Sequence, residues 1–477
     1  MADKTGRTLI IGLGKTGLSC ARYLAARGVE VAVADSRAEP PGLAALREEL
    51  PDVALFLGDY PEQAIARAEL VVVSPGVPLS HPALGAAAAR GQDVIGDIEL
   101  FARAVQGSTN VAGGTTAWMQ EVGQRREQLP RMPGATAAHA PIVAITGANG
   151  KSTVTTLLGQ MAQAAGRAVR VGGNLGTPAL ELLQDSEPDL YVLELSSFQL
   201  EGTYSLNAAA ATVLNITPDH MDRYRSLAEY SAAKQRIFHG DGVMVLNADD
   251  PVVLAMAEPN RRVTRFTLGV PSDGDYGVRL HDGAEWLTCG SKTLLPVSEL
   301  RIPGRHNVAN ALAALALGAA LGLPVAAMLI TLRAFTGLPH RTQWVATRDG
   351  VTWYNDSKGT NVGATLAAVS GMPGQVVLIA GGDGKGADFT PLREAVARKA
   401  RAVVLIGRDA PLIEAALANA APVLHARDMD EAVQRAAAVA QPGDAVLLSP
   451  ACASFDMYDN YEHRGRVFTD AVLKALA

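Results

Sequence analysis

Long hydrophobic runs are missing from this 477-residue chain: nothing in it reaches the roughly 18 apolar residues that a membrane-spanning helix needs. The polar opening MADKTGRT is followed by no apolar targeting segment, so the expectation is a cytoplasmic protein without a membrane partner. Cysteine is scarce. Cys20, Cys289 and Cys452 stand far apart with no CxxC pairing, so neither a disulfide framework nor a zinc site is indicated. A basic excess is also lacking: the formal net charge is −6, so no general attraction draws the chain to nucleic acid or to an anionic surface. Small molecules are the expected partners. What is abundant is apolar residues at 48%, with 47 Gly and 26 Pro, the composition of an α/β protein with many tight strand-to-helix turns.

At about 100 to 200 residues per domain the length predicts two to four domains, and the landmarks fit three. Thr8 to Ile11, Gly17 to Arg27 and Val29 to Ala34 read as a βαβ unit, and apolar runs at Leu70 to Val73 and Asp93 to Ile95 extend the first sheet to a boundary at Asp97. A second series runs through Pro141 to Thr146, Leu190 to Glu194, Ala211 to Ile216 and a helix from Asn307 to Leu321. The third, after Gly337 to Arg341, has runs at Val376 to Ala380, Ala402 to Ile406 and Ala445 to Leu448. The predicted domains are therefore 1–97, 98–337 and 338–477. Within the second, residues 107–140 are rich in Gly, Pro, Thr and Ala and read as a mobile insertion whose deletion should leave turnover intact.

The strongest local signal is a strand at Ile142 to Thr146, the turn Gly147-Ala148-Asn149-Gly150-Lys151-Ser152-Thr153, and a helix at Val154 to Ala165. Backbone amides of such a loop and the positive helix end cradle phosphate oxygens, a lysine reaches the outer phosphates, and a hydroxyl faces magnesium. The residue types fit ATP. The spacing is GxxGKS, since the longer GxxxxGK[ST] pattern would place glycine at Ile145. Gly12, Gly14 and Gly17 spell GxGxxG between a strand and a helix, with Asp35 at the end of the next strand, which read alone says NAD. Physically it presents amides and a carboxylate to some nucleotide diphosphate, and which one stays open at this point.

Longer motifs narrow the choice. GLGKTGLSC at 12–20, SPGV at 74–77, GDIELF at 96–101, ITGANGKSTVTTL at 145–157 and GGNLGTPAL at 172–180 occur in one order. They continue with YVLELSSFQLE at 191–201, LNITPDHMDRY at 214–224, NDSKGTN at 355–361, GGDGKGADF at 381–389 and SPACASFD at 449–456. With these the chain resembles the Mur ligases, and among them the branch that adds D-glutamate. The resemblance covers nearly the whole length. It implies three domains, an N-terminal Rossmann-like domain for the UDP end of UDP-N-acetylmuramoyl-L-alanine, a central P-loop ATPase-like domain, and a C-terminal Rossmann-like α/β domain for D-glutamate and part of the nucleotide. It also implies amide-bond formation by way of an acyl-phosphate and a tetrahedral intermediate, releasing ADP and phosphate; a monomer is the expected state.

The same resemblance distributes roles. Thr16, Asp35, Ser36, Arg37, Ser74 and Gly76 would contact the uridine diphosphate, and Asn174 the rest of that substrate. Gly147, Asn149, Gly150, Lys151, Ser152 and Thr153 would hold the phosphates; Asn307 and Asn310 the adenine; Arg341 and Asp356 the remaining nucleotide. Two magnesium sites would draw on Ser152, Glu194, His220 and Lys234, the last as a carbamate formed with CO2. That reaction needs a neutral amine, which an ordinary lysine with a pKa of about 10.4 offers in roughly one molecule of a few thousand at pH 7. Its surroundings must therefore disfavour the ammonium. Lys358 and Thr360 would lie near the reacting groups, and Lys385, Ser454, Phe455 and Tyr461 would form the D-glutamate pocket. Lys151, Glu194, His220, Lys234 and Lys358 make the catalytic set. The competing readings are another Mur or folylpolyglutamate-type ligase, an NAD-dependent oxidoreductase built on the first domain, and a silent nucleotide-binding scaffold.

Overall fold

The computed structural model describes residues 7–106, 139–183, 186–302, 304–372 and 374–476. The insertion expected at 107–140 lies outside the described residues except for His139 and Ala140.

The strands form three sheets. In the first, five parallel strands lie in the order Ala54–Leu57, Val31–Asp35, Thr8–Ile11, Leu70–Val73, Asp93–Gly96. TLII is buried throughout, as a strand covered by helices on both faces requires. The order reverses at Thr8–Ile11, which opens a crevice beyond its carboxyl end, where Gly12 begins the glycine turn. Gly17 can be nothing larger: a Cβ there would sit 1.9 Å from the Gly12 carbonyl oxygen. The helix it belongs to spans Lys15–Ala25, two residues earlier at each end than the apolar pattern indicated.

The central sheet has nine strands in the order Lys292–Pro296, Ala284–Cys289, Tyr276–His281, Val263–Phe266, Val243–Asn247, Ala210–Val213, Ile142–Thr146, Leu190–Glu194, Val169–Gly173. Its middle is parallel, and the phosphate-loop strand Ile142–Thr146 lies between Ala210–Val213 and Leu190–Glu194. Its outer edge is an antiparallel meander, which lies beyond the strands expected from the apolar runs. The signal was present: Asp282 (φ 51°) and Gly283 (φ 77°) both adopt positive φ, the type I′ turn that Asp-Gly favours.

The third sheet runs Gln343–Arg348, Val351–Asn355, Ala445–Leu448, Val376–Gly381, Ala400–Ile406, Val423–His425, antiparallel only in its first pair. That pair too is joined by an Asp-Gly turn, Asp349 (φ 51°) and Gly350 (φ 78°).

The apolar cores are distributed unevenly. One continuous cluster runs from Ile10 and Leu13 in the first sheet through helix Asp97–Val105 to Tyr191 and Leu193 in the second, with the Phe101 and Tyr191 rings edge to face at 5.3 Å. The third sheet keeps its own two clusters, one on each face, with members only from its own lobe.

Candidate active site

The strand Ile142–Thr146 is buried along its whole length and delivers the chain into the glycine loop. Gly150, at φ 84°, caps the 14-residue helix Lys151–Ala164 without a side-chain hydrogen bond, so the first-turn amides stay available to an anion. A Cβ on Gly150 would lie 2.4 Å from Asn310 Oδ1. Asn215 pins the loop from below, accepting from the Asn149 amide at 2.8 Å and donating through Nδ2 to the Asn149 carbonyl at 3.1 Å. The Lys151 ammonium donates to the carbonyls of Gly147 and Ala148, each at 2.9 Å, which holds it over the loop. Burial pushes its pKa down, against the opposing pull of Glu194 and Asp219.

Glu194 closes the neighbouring strand and is 3% exposed. Its Oε1 accepts from Asn174 Nδ2 at 2.7 Å, while its Oε2 is buried without any hydrogen-bond partner. An orphaned carboxylate oxygen in a protein interior is costly, and a cation is what relieves it, so this donor fits magnesium. Among the described residues no three His, Cys, Asp or Glu side chains converge into a ready-made metal cage, so phosphate oxygens and other donors would have to complete the coordination.

Lys234, on helix Leu227–Gln235, is 2% exposed, with Nζ 3.0 Å from the Gly147 carbonyl, 3.3 Å from Thr146 Oγ1 and 4.7 Å above the Tyr230 ring. Burial, and secondly the charge of Lys151, hold its pKa well below the ordinary lysine value. The low-dielectric pocket thus meets the condition that a neutral amine requires. His220 adopts φ 57°, packs on Phe198 with ring centroids 4.8 Å apart and has its Nε2 3.7 Å from Asp219 Oδ2. Burial lowers its pKa, which favours the neutral imidazole, the form able to ligate a metal. Lys385 also holds positive φ, at 51°. Strained backbone of this kind collects at functional sites.

The third lobe reaches into the loop. Arg341 Nη2 donates to Ser152 Oγ at 2.6 Å. Asn361, capping helix Val362–Gly371, donates to Asn149 Oδ1 and to Asp219 Oδ2, both at 3.2 Å. Asn361, Asn215 and Asp219 were not among the residues singled out from sequence; the asparagine before a helix and the asparagine after a buried strand were the available signals. Asp356 is buried and accepts from the Thr342 amide at 3.0 Å and Ser449 Oγ at 2.7 Å; desolvation raises its pKa to about 6. Lys358 stands 3.7 Å over the Tyr461 ring, and burial, with the charges of Arg341 and Lys151, lowers its pKa to about 8.

In the first lobe the Asp35 carboxylate is fully engaged. Oδ2 accepts from the Leu13 amide at 2.7 Å and Arg37 Nη2 at 2.8 Å, and Oδ1 accepts from the Arg37 amide and Nε, both at 2.9 Å. The Arg37 hydrogen bonds lead in holding its pKa to about 2. Four donors fill the capacity of a carboxylate, so Asp35 acts through Arg37, which it aims.

Three cavities join these groups. Thr16, Asp35, Ser36, Arg37, Ser74, Gly76 and Asn174 line the first, of about 450 Å³. The second, of about 500 Å³, brings together Lys151, Glu194, His220 and Lys234 with Lys358, Thr360, Lys385, Ser454, Phe455 and Tyr461 from the third lobe. Asn307, Asn310, Thr153 and Asp356 line the third, a narrower space of about 140 Å³. Pro75 and Asn174 belong to the walls of the first and second cavities, and Asn149, Gly150, Arg341 and Lys358 to those of the second and third. Gly147 and Ser152 line none of the three; Gly147 lies at the base of the loop beneath Lys151 and Lys234, and Ser152 behind it against Arg341. Phe455 is 73% exposed, an apolar wall standing open to solvent.

Comparison with known proteins agrees in every segment. Residues 6–96 match the Mur ligase MurD-like N-terminal domain, 145–318 the Mur ligase middle domain and 340–452 the Mur ligase glutamate ligase domain. A UDP-N-acetylmuramoylalanine–D-glutamate ligase of Nitrosococcus oceani is 56% identical over 98% of this chain and 97% of its own. A protein of the same name from Thiobacillus denitrificans is 53% identical over 99% of this chain and 97% of its own. Among solved structures, the UDP-N-acetylmuramate-alanine ligase of Thermotoga maritima is similar in fold, with a TM-score of 0.57 at 18% identity, covering 98% of this chain and all (100%) of the other. With the loop, the buried acid and lysine, and all three segments in agreement, the chain belongs to the Mur ligase family.

Proposed function

We propose that this protein joins D-glutamate to UDP-N-acetylmuramoyl-L-alanine at the expense of ATP, in peptidoglycan synthesis, as a cytoplasmic monomer. Residues 1–97 hold the UDP, 98–337 the ATP and 338–477 the D-glutamate. Among the described residues no helix is long and apolar enough to cross a membrane. The carrying observation is the central cavity. Its walls place the loop lysine Lys151, the half-satisfied carboxylate of Glu194 and cations of the third lobe around one space that adjoins the first cavity through Asn174.

A carboxylate is a poor electrophile, and bringing a second anion up to it is the barrier to activation. Lys151, Arg341 and Lys358 line the path and offset the charge that collects when the L-alanyl carboxylate attacks the terminal phosphorus of ATP and ADP leaves. Magnesium, held by Glu194, His220, a carbamate on Lys234 and Ser152, would supply further neutralisation of the phosphate oxygens. Ser152 holds the proton-donating face of Arg341 in register with the loop. The amine of D-glutamate then attacks the carbonyl carbon of the acyl-phosphate, and the tetrahedral intermediate loses a proton from nitrogen and expels phosphate to leave the amide, with Lys385 and Ser454 at the carboxylates of D-glutamate and Phe455 and Tyr461 against its methylenes. The nicotinamide reading is disfavoured by Asp35, whose oxygens are committed to Leu13 and Arg37 and not left for a ribose.

The test is phosphate release with ATP, magnesium and UDP-N-acetylmuramoyl-L-alanine, comparing D-glutamate with L-glutamate and other amino acids. Release that depends on D-glutamate supports the proposal. Release indifferent to the amino acid, or tight binding of NADH in place of the UDP compound, refutes it.

A further inference from the structure

The segment that carries His220 also carries Arg223, a largely buried arginine (13% side-chain exposure) for which the reaction described above has no use. Its guanidinium crosses from the central lobe to the first. Nη1 donates to the Pro75 carbonyl at 2.9 Å, and Nη2 donates to the Val77 carbonyl at 3.4 Å and to Glu201 Oε2 at 2.6 Å. The face of the group lies on Phe198, 4.2 Å from the ring centroid. Both terminal nitrogens and the flat face are therefore engaged at once, which the planar fork of arginine allows and the ammonium of lysine does not.

Both ends of this link reach the chemistry. Pro75 sits in the Ser74–Val77 turn, closed by the Val77 amide on the Ser74 carbonyl at 2.9 Å, and lines both the first and the central cavity. At the other end the Arg223 amide donates to the His220 carbonyl at 2.9 Å, and Phe198 packs on the His220 ring. Glu201 is itself held by the Tyr224 hydroxyl, so the anchor of the guanidinium is braced from a second side.

We propose that Arg223 is a positioning residue that sets the UDP-binding turn Ser74–Val77 at a fixed offset from His220, and so places the substrate's carboxyl end in the reaction centre. The inference rests on the reading of the first cavity as the UDP site. Arg223 touches no reacting atom: it acts by holding two carbonyls of one lobe against the imidazole segment of another.

The experiment is calorimetric titration of wild type, Arg223→Ala and Arg223→Lys with UDP-N-acetylmuramoyl-L-alanine and, separately, with a non-hydrolysable ATP analogue. Loss of charge-assisted hydrogen bonds to the turn should raise the Kd of the UDP compound about tenfold in the alanine variant and by less in the lysine variant, which restores charge without the fork. The ATP analogue should bind all three alike, which also certifies the fold. In wild type the His220 ring resonances should move when the UDP compound binds, and in Arg223→Ala they should not. Unchanged affinity for the UDP compound in both variants overturns the inference, as does an equal loss for both ligands, which would mark a merely structural role. Should Arg223→Ala fail to fold, the lysine variant decides by the same comparison. A wild-type protein that does not bind the UDP compound overturns the inference together with the reading beneath it.

Discussion

The guanidinium of Arg341 and the hydroxyl of Ser152 meet at 2.6 Å across 189 positions of sequence, joining the third lobe to the first turn of the phosphate-loop helix. A cation is thus delivered to the loop by a different lobe from the one that forms it. Arg341→Ala should lower kcat/KM for ATP by roughly 100-fold, the size of effect that loss of one charge-stabilising donor produces, with binding of the UDP compound unchanged. Steady-state rates at varied ATP check this; an unaltered kcat/KM would remove Arg341 from the phosphate path.

Among the described residues Lys151 has the loop carbonyls as its only hydrogen-bond acceptors, and it lies in the central cavity without lining the first. Lys151→Ala should abolish phosphate release and leave the Kd of UDP-N-acetylmuramoyl-L-alanine as in wild type. Calorimetry that finds the UDP affinity lost as well would contradict the division of labour between lobes.

For Lys358 the sign with pH is set by a pKa lowered to about 8. The amine is cationic below that value and neutral above it, so a role in charge neutralisation predicts a rate that falls as pH rises through about 8. In Lys358→Arg, where the charge persists, the alkaline limb should disappear. A limb of the same pKa in the arginine variant would assign the titration to another group.

Burial, and secondly the charge of Lys151, hold the Lys234 pKa well below the ordinary lysine value, which favours the amine form that takes up CO2. With 13C-labelled bicarbonate the wild type should give a carbamate carbonyl resonance that is absent from Lys234→Arg. Its absence from active wild type would eliminate the modification.

Gly150 combines φ 84° with no room for a side chain beside Asn310. Gly150→Ala should destabilise the fold by roughly 1–3 kcal/mol through backbone strain and displace the loop amides. Thermal unfolding and ATP affinity should both fall. A variant with wild-type stability and affinity would mean that the loop relaxes at no cost.

Much of this was legible from the chain because it is local. The strand, glycine loop and helix around Lys151 follow from residues within a few positions of one another, and so did the parallel sheets, whose strands are plain apolar runs. The Asp-Gly hairpins at 282–283 and 349–350 are also written locally, but their strands are partly exposed and mix polar with apolar residues, so they do not stand out as apolar runs. Other features have no local signature. That Glu194 keeps one oxygen unpaired depends on Asn174 occupying the other from a separate turn. That Asp35 serves Arg37 follows from a tight turn two residues on, where spacing alone suggested a ribose partner. Asn361 reads as an ordinary helix cap until the fold carries it to Asn149.

The uneven distribution of apolar cores has a mechanical consequence. The seam between the first two lobes is built on one continuous apolar cluster, from Ile10 and Leu13 through helix Asp97–Val105 to Tyr191 and Leu193, with polar links such as Arg223 to Pro75 beside it. The seam with the third lobe carries polar bridges such as Arg341 to Ser152 and Asn361 to Asp219, which water can replace one for one. The third lobe, which shares no apolar cluster with the other two, should therefore part from them first, and differential scanning calorimetry should resolve it as a separate melting unit.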